Sequence, residues 1–353
     1  MRIIRLCTLL DFGGLEQRLV TISKVQDEHE WIFCALGTGG EASRQIEENG
    51  KRVVLLESKY KIPSLQAIRL LVDFFRTENP DVVHTSGAEA NFHGIIAAQF
   101  AGVKKLIAEE IGIPKQKYLH RIMFRVLYKF PSHLLANALP VGRYLSQING
   151  VDPNRLEIIP NPIDFSSNRT IERSHSSEFQ ILTVSRLKAV KNIEGVLRVL
   201  ARLKMDGYPF LFTIIGEGDH FEALMEIVVE LGLQNEVHFK GYLPDPFSSV
   251  EVADLFILNS FTEGFSNALA EAMSSGIPCL ATNVGAASDM IQENKSGWLI
   301  KPNDDKGLFE KLRHIFSLDR EILVKVGETG KESIKDKYSL QVHLDQLMEI
   351  YCN

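Results

Sequence analysis

The chain has 353 residues, 45% hydrophobic and 24% charged, and a net charge of −6. That length suits about two domains, each able to bury its own core, and the acidic balance argues against general nucleic-acid affinity. Four scattered cysteines without a C-x-x-C pair indicate neither a disulfide framework nor a zinc site.

The first apolar run, residues 2–10, reads as a strand and meets Asp11 too early for a signal-peptide core and cleavage site. No stretch approaches the roughly 18 apolar residues that span a bilayer, so a reducing cytoplasm is the expected compartment. The glycine turn Gly13-Gly14 and a helix over residues 15–23 follow. The next strand covers residues 31–36, then comes a turn with Gly37, Gly39 and Gly40 and a further helix. Residues 53–56 repeat the strand signal, residues 64–76 form an amphipathic helix, and residues 81–84 and 106–108 are further buried strands. Short continuous apolar runs separated by helices point to a parallel sheet covered on both faces.

Residues 161–164 close this half, and the polar, aperiodic residues 166–178 read as a linker. The alternation then restarts. Strands are expected at residues 180–184, 211–215, 237–239, 255–258 and 278–281, with helices at 193–205 and 222–231 among those between them. A last amphipathic helix, within residues 338–353, follows the second unit and is expected to pack back on the first. The expected division is therefore 1–165 and 166–337. Charge is divided unevenly: residues 1–165 hold 20 Lys/Arg against 18 Asp/Glu, the remainder 19 against 27. The two halves are suited to different partners.

The densest information lies in Thr262-Glu263-Gly264-Phe265-Ser266-Asn267-Ala268-Leu269-Ala270-Glu271. A strand stops, a glycine turn follows, and a helix starts near Ser266 and ends before Pro278. Its first turn offers backbone N–H groups and the positive end of a dipole, which suits a diphosphate. Glu263 and Glu271, eight positions apart, can face one cleft, and carboxylates accept hydrogen bonds from vicinal sugar hydroxyls. A cap and a solvated surface glutamate would give the same pair. The surrounding pattern favours the sugar-binding reading.

That pattern resembles the E-x7-E signature of the retaining GT-B glycosyltransferases of family 4. Val184-Ser185-Arg186-Leu187 followed by Lys191-Asn192 resembles the family's diphosphate-holding Arg and Lys. Ile215-Gly216-Glu217-Gly218, Val237-His238-Phe239-Lys240-Gly241-Tyr242 and Ala281-Thr282-Asn283-Val284-Gly285-Ala286 match its further loops, in family order. The resemblance implies an α/β chain with two Rossmann-like domains facing a central cleft, the second binding a nucleotide-sugar. It implies that Arg186 and Lys191 neutralise the leaving diphosphate, that Glu271 binds ribose and that Glu263 binds the transferred sugar. Glu263, Arg186 and Lys191 are the catalytic candidates. Gly216 and the backbone of Gly264, Phe265, Ser266 and Asn267 complete the donor side, with Gly13 and Gly14 reaching it from the first domain. No Asp-x-Asp triplet occurs, so neither a metal ion nor a cofactor is expected on the diphosphate.

In the first half, Asp81-Val82-Val83-His84-Thr85-Ser86 resembles a recurring family strand, in which His84 reads as a buried histidine. Many relatives carry a histidine after the strand at residues 106–108. Ile111 stands at that position here, next to Glu109 and Glu110. These two glutamates are read either as acceptor contacts or as loop caps. Residues 111–151 hold no Asp or Glu but contain Lys115, Lys117, Arg121, Arg125, Lys129 and Arg143. Arg121, Arg125 and Lys129 recur every fourth residue, giving a helix with basic and apolar faces. Such a helix suits an anionic membrane surface; an ordinary helix with a solvated basic face gives the same pattern.

The expected activity is retaining transfer of a hexose-type sugar from a UDP- or GDP-sugar to a glycan or lipid-linked acceptor. Cell-surface polysaccharide assembly, peripheral on the inner membrane face, is the expected setting. A nucleotide-sugar epimerase on the same fold and a non-catalytic nucleotide-sugar-binding subunit are the alternatives. No G-x-G-x-x-G dinucleotide fingerprint follows the first strand.

Overall fold

The computed structural model describes residues 1–11, 13–113, 118–165 and 178–353. The chain forms two compact units, one of Met1–Pro162 with Leu340–Asn353 and the other of Ile163–Ser339.

The first unit carries seven strands: β1 (Arg2–Cys7), β2 (Glu30–Ala35), β3 (Arg52–Leu55), β4 (Val82–Ser86), β5 (Lys105–Glu110), β6 (His133–Ala136) and β7 (Leu156–Ile158). They lie in the order β3-β2-β1-β4-β5-β6-β7, and every neighbouring pair is parallel. The connections are α1 (Gly14–Ser23), α2 (Glu41–Glu48), α3 (Leu65–Glu78), α4 (Ala88–Ala101), α5 (Tyr118–Leu127) and α6 (Leu139–Gln147). The start of α3 shows how local chemistry sets a boundary: the Ser64 hydroxyl accepts from the Ala67 amide, and Asn79 ends the helix in the left-handed region. Strands β6 and β7 are three or four residues long, too short for sequence periodicity to register.

The second unit carries β8 (Phe179–Val184), β9 (Phe210–Ile215), β10 (Val237–Phe239), β11 (Leu255–Leu258), β12 (Cys279–Thr282) and β13 (Trp298–Ile300). Their order is β10-β9-β8-β11-β12-β13, again all parallel. The helices are α7 (Ile193–Met205), α8 (Phe221–Glu230), α9 (Asn267–Ser274), α10 (Ala287–Met290), α11 (Asp305–Phe316) and α12 (Arg320–Tyr338). The apolar faces of α7 and α11 close the core over Phe212, Ile214, Ile257 and Leu280.

The last helix, α13 (Leu340–Cys352), belongs to the first unit. Leu344, Leu347 and Tyr351 enter the same core as Ile3, Phe33, Ile107 and Leu135. Its apolar spacing is explained by that burial, since an isolated surface helix would gain nothing from it. Among the described residues no helix is long and apolar enough to cross a membrane.

Candidate active site

In an open parallel sheet, ligands bind beyond the carboxyl ends of the strands where strand order reverses. In the second unit that point lies between β8 and β11. The loop leaving β8 carries Arg186 and runs through a short 3-10 turn to Lys191, and Asn192 then caps α7 with its side chain on the Gly195 amide. The loop leaving β11 is bonded to it, with the Phe261 amide on the Val190 carbonyl at 2.9 Å and Asn259 Nδ2 on the Asn192 carbonyl at 3.2 Å.

These contacts bring together two residues 72 positions apart. Lys191 Nζ lies 2.5 Å from Glu263 Oε1, and the Ser260 hydroxyl donates to the same oxygen at 2.7 Å. Both side chains keep part of their surface in solvent, 18% for Lys191 and 12% for Glu263. An ammonium and a carboxylate that still reach solvent can be approached by an anion and by a hydroxyl donor respectively. Arg186 is exposed beside them and has no side-chain partner among the described residues.

The glycines here have steric work to do. A Cβ on Gly216 would lie 1.9 Å from the Ser185 carbonyl oxygen, and Gly216 also has φ +137. The loops after β8 and β9 can pack backbone to backbone only because that side chain is missing. The Leu187 amide then bonds the Glu217 carbonyl at 2.8 Å, which fixes the path of the Arg186 loop. Gly264 is held from the other side by the Ala286 amide, bonded to its carbonyl at 3.0 Å.

Helix α9 starts where the sequence places it. Ser266 is the cap, its hydroxyl accepting from the Leu269 amide, and Asn267 opens the helix. The Phe265 ring is buried against Tyr338 at a centroid distance of 5.5 Å, so this residue offers the site its backbone only. Glu271 lies in the second turn, partly exposed. Burial, reinforced by the carboxylate of Asp245, pushes its pKa up to about 7. Among the described residues no group of three or more His, Cys, Asp or Glu side chains gathers where it could hold a metal ion.

In the first unit strand order reverses between β1 and β4. Gly13 caps α1 with its backbone, its carbonyl accepting from Gln17, and Gly14 opens the helix. Phe12, beside them in the expected glycine loop, lies outside the described residues.

Glu109 and Glu110, read above either as acceptor contacts or as loop caps, are turned into the domain. Glu109 is 1% exposed. Its Oε2 accepts from Arg18 Nη2 and from the Ser86 hydroxyl, and it lies 3.4 Å from His84 Nε2 and 3.7 Å from Arg5 Nη2. Burial favours its neutral form, but Arg18 and His84 outweigh that and hold Glu109 well below the usual carboxylate range. Tyr351 of α13 joins the cluster, with its hydroxyl 2.6 Å from His84 Nδ1 and accepting from Arg5 at 3.3 Å. His84 is fully buried, and burial together with Arg5 pushes its pKa down to about 3. It is a neutral core histidine, as the sequence suggests. Glu110 accepts from the Tyr128 hydroxyl and from Asn91 Nδ2, and burial pushes its pKa up to about 7. The carboxylates are internal because helices α1, α4 and α13 and the turn after α5 cover the ends of β4 and β5.

Sequence reading overlooked Arg5 and Arg18, the two buried guanidinium groups among the described residues. The available signal was an arginine inside the apolar run of β1, which needs a buried partner. Of the basic segment, Arg121, Arg125 and Lys129 are exposed, whereas Lys115 and Lys117 lie outside the described residues.

Two Rossmann-like units with a cation, a carboxylate and a capped helix at a strand-order reversal define an α/β protein of two parallel-sheet domains. The profile of Glycosyl transferases group 1 matches residues 164–333, and that of Glycosyltransferase Family 4 matches residues 12–167. The chain belongs to the group 1 glycosyl transferases and has the GT-B fold. Among curated relatives, a putative colanic acid biosynthesis glycosyltransferase, WcaL of Escherichia coli K12, is 28% identical over 201 residues. That match covers 55% of this chain and spans only 47% of the length of WcaL. An Escherichia coli UDP-Gal:alpha-D-GlcNAc-diphosphoundecaprenol alpha-1,3-galactosyltransferase is 22% identical, with 82% of this chain and 80% of the relative covered. HepE of Anabaena, solved in complex with UDP, superposes with a TM-score of 0.85 at 20% identity over 99% of each chain.

Proposed function

We propose that this chain is a retaining, metal-independent glycosyltransferase. It takes a hexose-type sugar from a UDP- or GDP-sugar and passes it to a glycan or lipid-linked acceptor in cell-surface polysaccharide assembly. The observation that carries the reading is the Lys191–Glu263 pair at the β8/β11 switch point, beside Arg186 and the start of α9. The relatives act in the same direction, since one is named for colanic acid biosynthesis and another for a diphosphoundecaprenol acceptor.

In this reading the donor diphosphate lies against the first turn of α9, with Arg186 and Lys191 on its oxygens. Glu263 accepts from the transferred sugar and Glu271 from the ribose. As the bond from the sugar's anomeric carbon to the diphosphate breaks, the electron pair stays on the leaving oxygen. The two cations and the helix start stabilise that charge. The acceptor hydroxyl bonds to the same face of the anomeric carbon, and its proton passes to the departing phosphate oxygen. With Glu109 and Glu110 engaged inside the domain, no protein carboxylate is assigned as base.

The acceptor side includes α5. Its exposed Arg121 and Arg125, with Lys129 following, alternate with exposed Tyr118, Leu119, Ile122 and Val126. Such a surface suits anionic lipid headgroups, at about 1 kcal/mol per basic residue, and supports a peripheral position on the cytoplasmic membrane face.

The test is a screen of UDP- and GDP-sugars for nucleoside diphosphate release, with and without a lipid-extract acceptor and with a chelator present. Release from one donor, stimulated by lipid extract and unaffected by the chelator, is expected. NMR of the product should show the anomeric configuration of the donor. An inverted product would remove the retaining assignment, and no release from any donor would remove the enzymatic reading.

A further inference from the structure

Two helices of this protein display exposed apolar rows of the same spacing with charges of opposite sign. On α8 the row is Phe221, Met225 and Val229, and each is followed directly by an exposed glutamate, Glu222, Glu226 and Glu230. On α5 the row is Tyr118, Ile122 and Val126. Here the flank is basic, with Arg121 and Arg125 directly preceding Ile122 and Val126 and Lys129 one turn further on.

The side on which each charge lies decides how the rows can meet. When two helices pack in parallel, the residue preceding the apolar seam on one faces the residue following the seam on the other. A cationic preceding flank on α5 and an anionic following flank on α8 therefore match in the parallel orientation. With the apolar rows aligned, Arg121 and Arg125, which precede Ile122 and Val126, face Glu226 and Glu230, which follow Met225 and Val229, and Lys129 lies in the turn just beyond α5.

The other flank fits as well. Beside α8 an open groove of about 630 Å³ runs to the edge strand β10, with Val228, Val237 and Phe239 in its lining. Leu119 and Met123 follow the seam on α5 and would enter this groove; Leu119 is 77% exposed. His238 and Lys240 also line the groove, and there α5 presents apolar side chains rather than further cations.

We infer that α5 of one copy seats in parallel on α8 and the adjoining groove of a second copy. The two surfaces differ, so the contact is either made twice about a two-fold axis or repeated from copy to copy. It occupies the face of α5 assigned above to lipid, so a given α5 makes one contact or the other. Donor binding plays no part in it.

The test is sedimentation velocity of the full chain over a concentration series, at low and high salt. The natural chain should self-associate, less so as salt rises. Reversing the acidic row (Glu222→Lys, Glu226→Lys and Glu230→Lys together) should weaken association by at least about 100-fold, as should reversing the basic row (Arg121→Glu, Arg125→Glu and Lys129→Glu), because like charges then oppose each other. Mixing the two reversed chains should restore association at one-to-one stoichiometry, since natural α5 then meets natural α8 and reversed α5 meets reversed α8. A chain carrying both reversals should associate again. Thermal unfolding of each variant confirms that it is folded. A natural chain that stays monomeric throughout, reversed chains that still self-associate, or a mixture that stays monomeric would each overturn the inference.

Discussion

Lys191–Glu263 in the second unit and Arg18–Glu109 in the first are both pairs of a cation with a glutamate near the carboxyl end of a strand. The first keeps part of its surface in water, and Glu263 has only Ser260 as a further described partner. The second is sealed, with Arg5, His84 and Ser86 gathered around one carboxylate oxygen, and the other oxygen, Oε1, has no hydrogen-bond partner among the described residues. Breaking a buried pair leaves an uncompensated charge in a medium that solvates it badly, whereas a pair that still reaches solvent can trade partners more readily. The same residue types therefore make an internal brace in one unit and, in the other, a pair that reaches solvent at a strand-order reversal, the place proposed above for the donor.

The largest expected effect tests the brace. Glu109→Ala should lower unfolding free energy by about 3–5 kcal/mol, because Arg5 and Arg18 lose their counter-charge. Replacing Arg5, Arg18 and Glu109 together with Met, Met and Leu should recover much of that loss, because no buried charge is then left unpaired, and chemical denaturation measures both. A Glu109→Ala chain of natural stability would erase the distinction between the two pairs.

Next come the cations of the site. Arg186→Ala or Lys191→Ala should lower kcat by about 10²–10³-fold while changing stability by less than about 1 kcal/mol. Calorimetric titration with UDP and GDP should show the matching loss of affinity. Equal losses of stability and activity would make Lys191 another structural residue.

Two pH effects sharpen the contrast. Glu271 ionises near pH 7, and a carboxylate accepts from ribose hydroxyls better than its neutral form does. Donor affinity should therefore rise between about pH 6 and pH 8, and Glu271→Gln should be weak and flat across that range. Glu110 also has a folded pKa near 7, above its unfolded value. The folded state binds the extra proton, so this stabilisation is complete at low pH and is lost as pH rises through about 7. Glu110→Gln should remove that slope from the unfolding free energy. The smallest effect belongs to the surface: Arg121→Glu with Arg125→Glu should weaken binding to phosphatidylglycerol vesicles by about 1 kcal/mol per basic residue lost and leave UDP affinity unchanged.

The sequence by itself determined the alternation of strands and helices, the restart near residue 178, the glycine turns and the helix start at Ser266. Each of these rests on interactions within a few residues: side-chain periodicity, caps and backbone conformations open only to glycine. Only the tertiary structure decided which glutamates reach a strand-end loop open to solvent and which meet the core. Glu109 and Glu263 look alike along the chain. Their surroundings come from parallel strands and helices dozens to hundreds of residues away, including Tyr351 from the last helix and Lys191 from the loop after β8. A carboxylate's dielectric environment and partners are set by that packing, and neither is encoded in its neighbours in sequence.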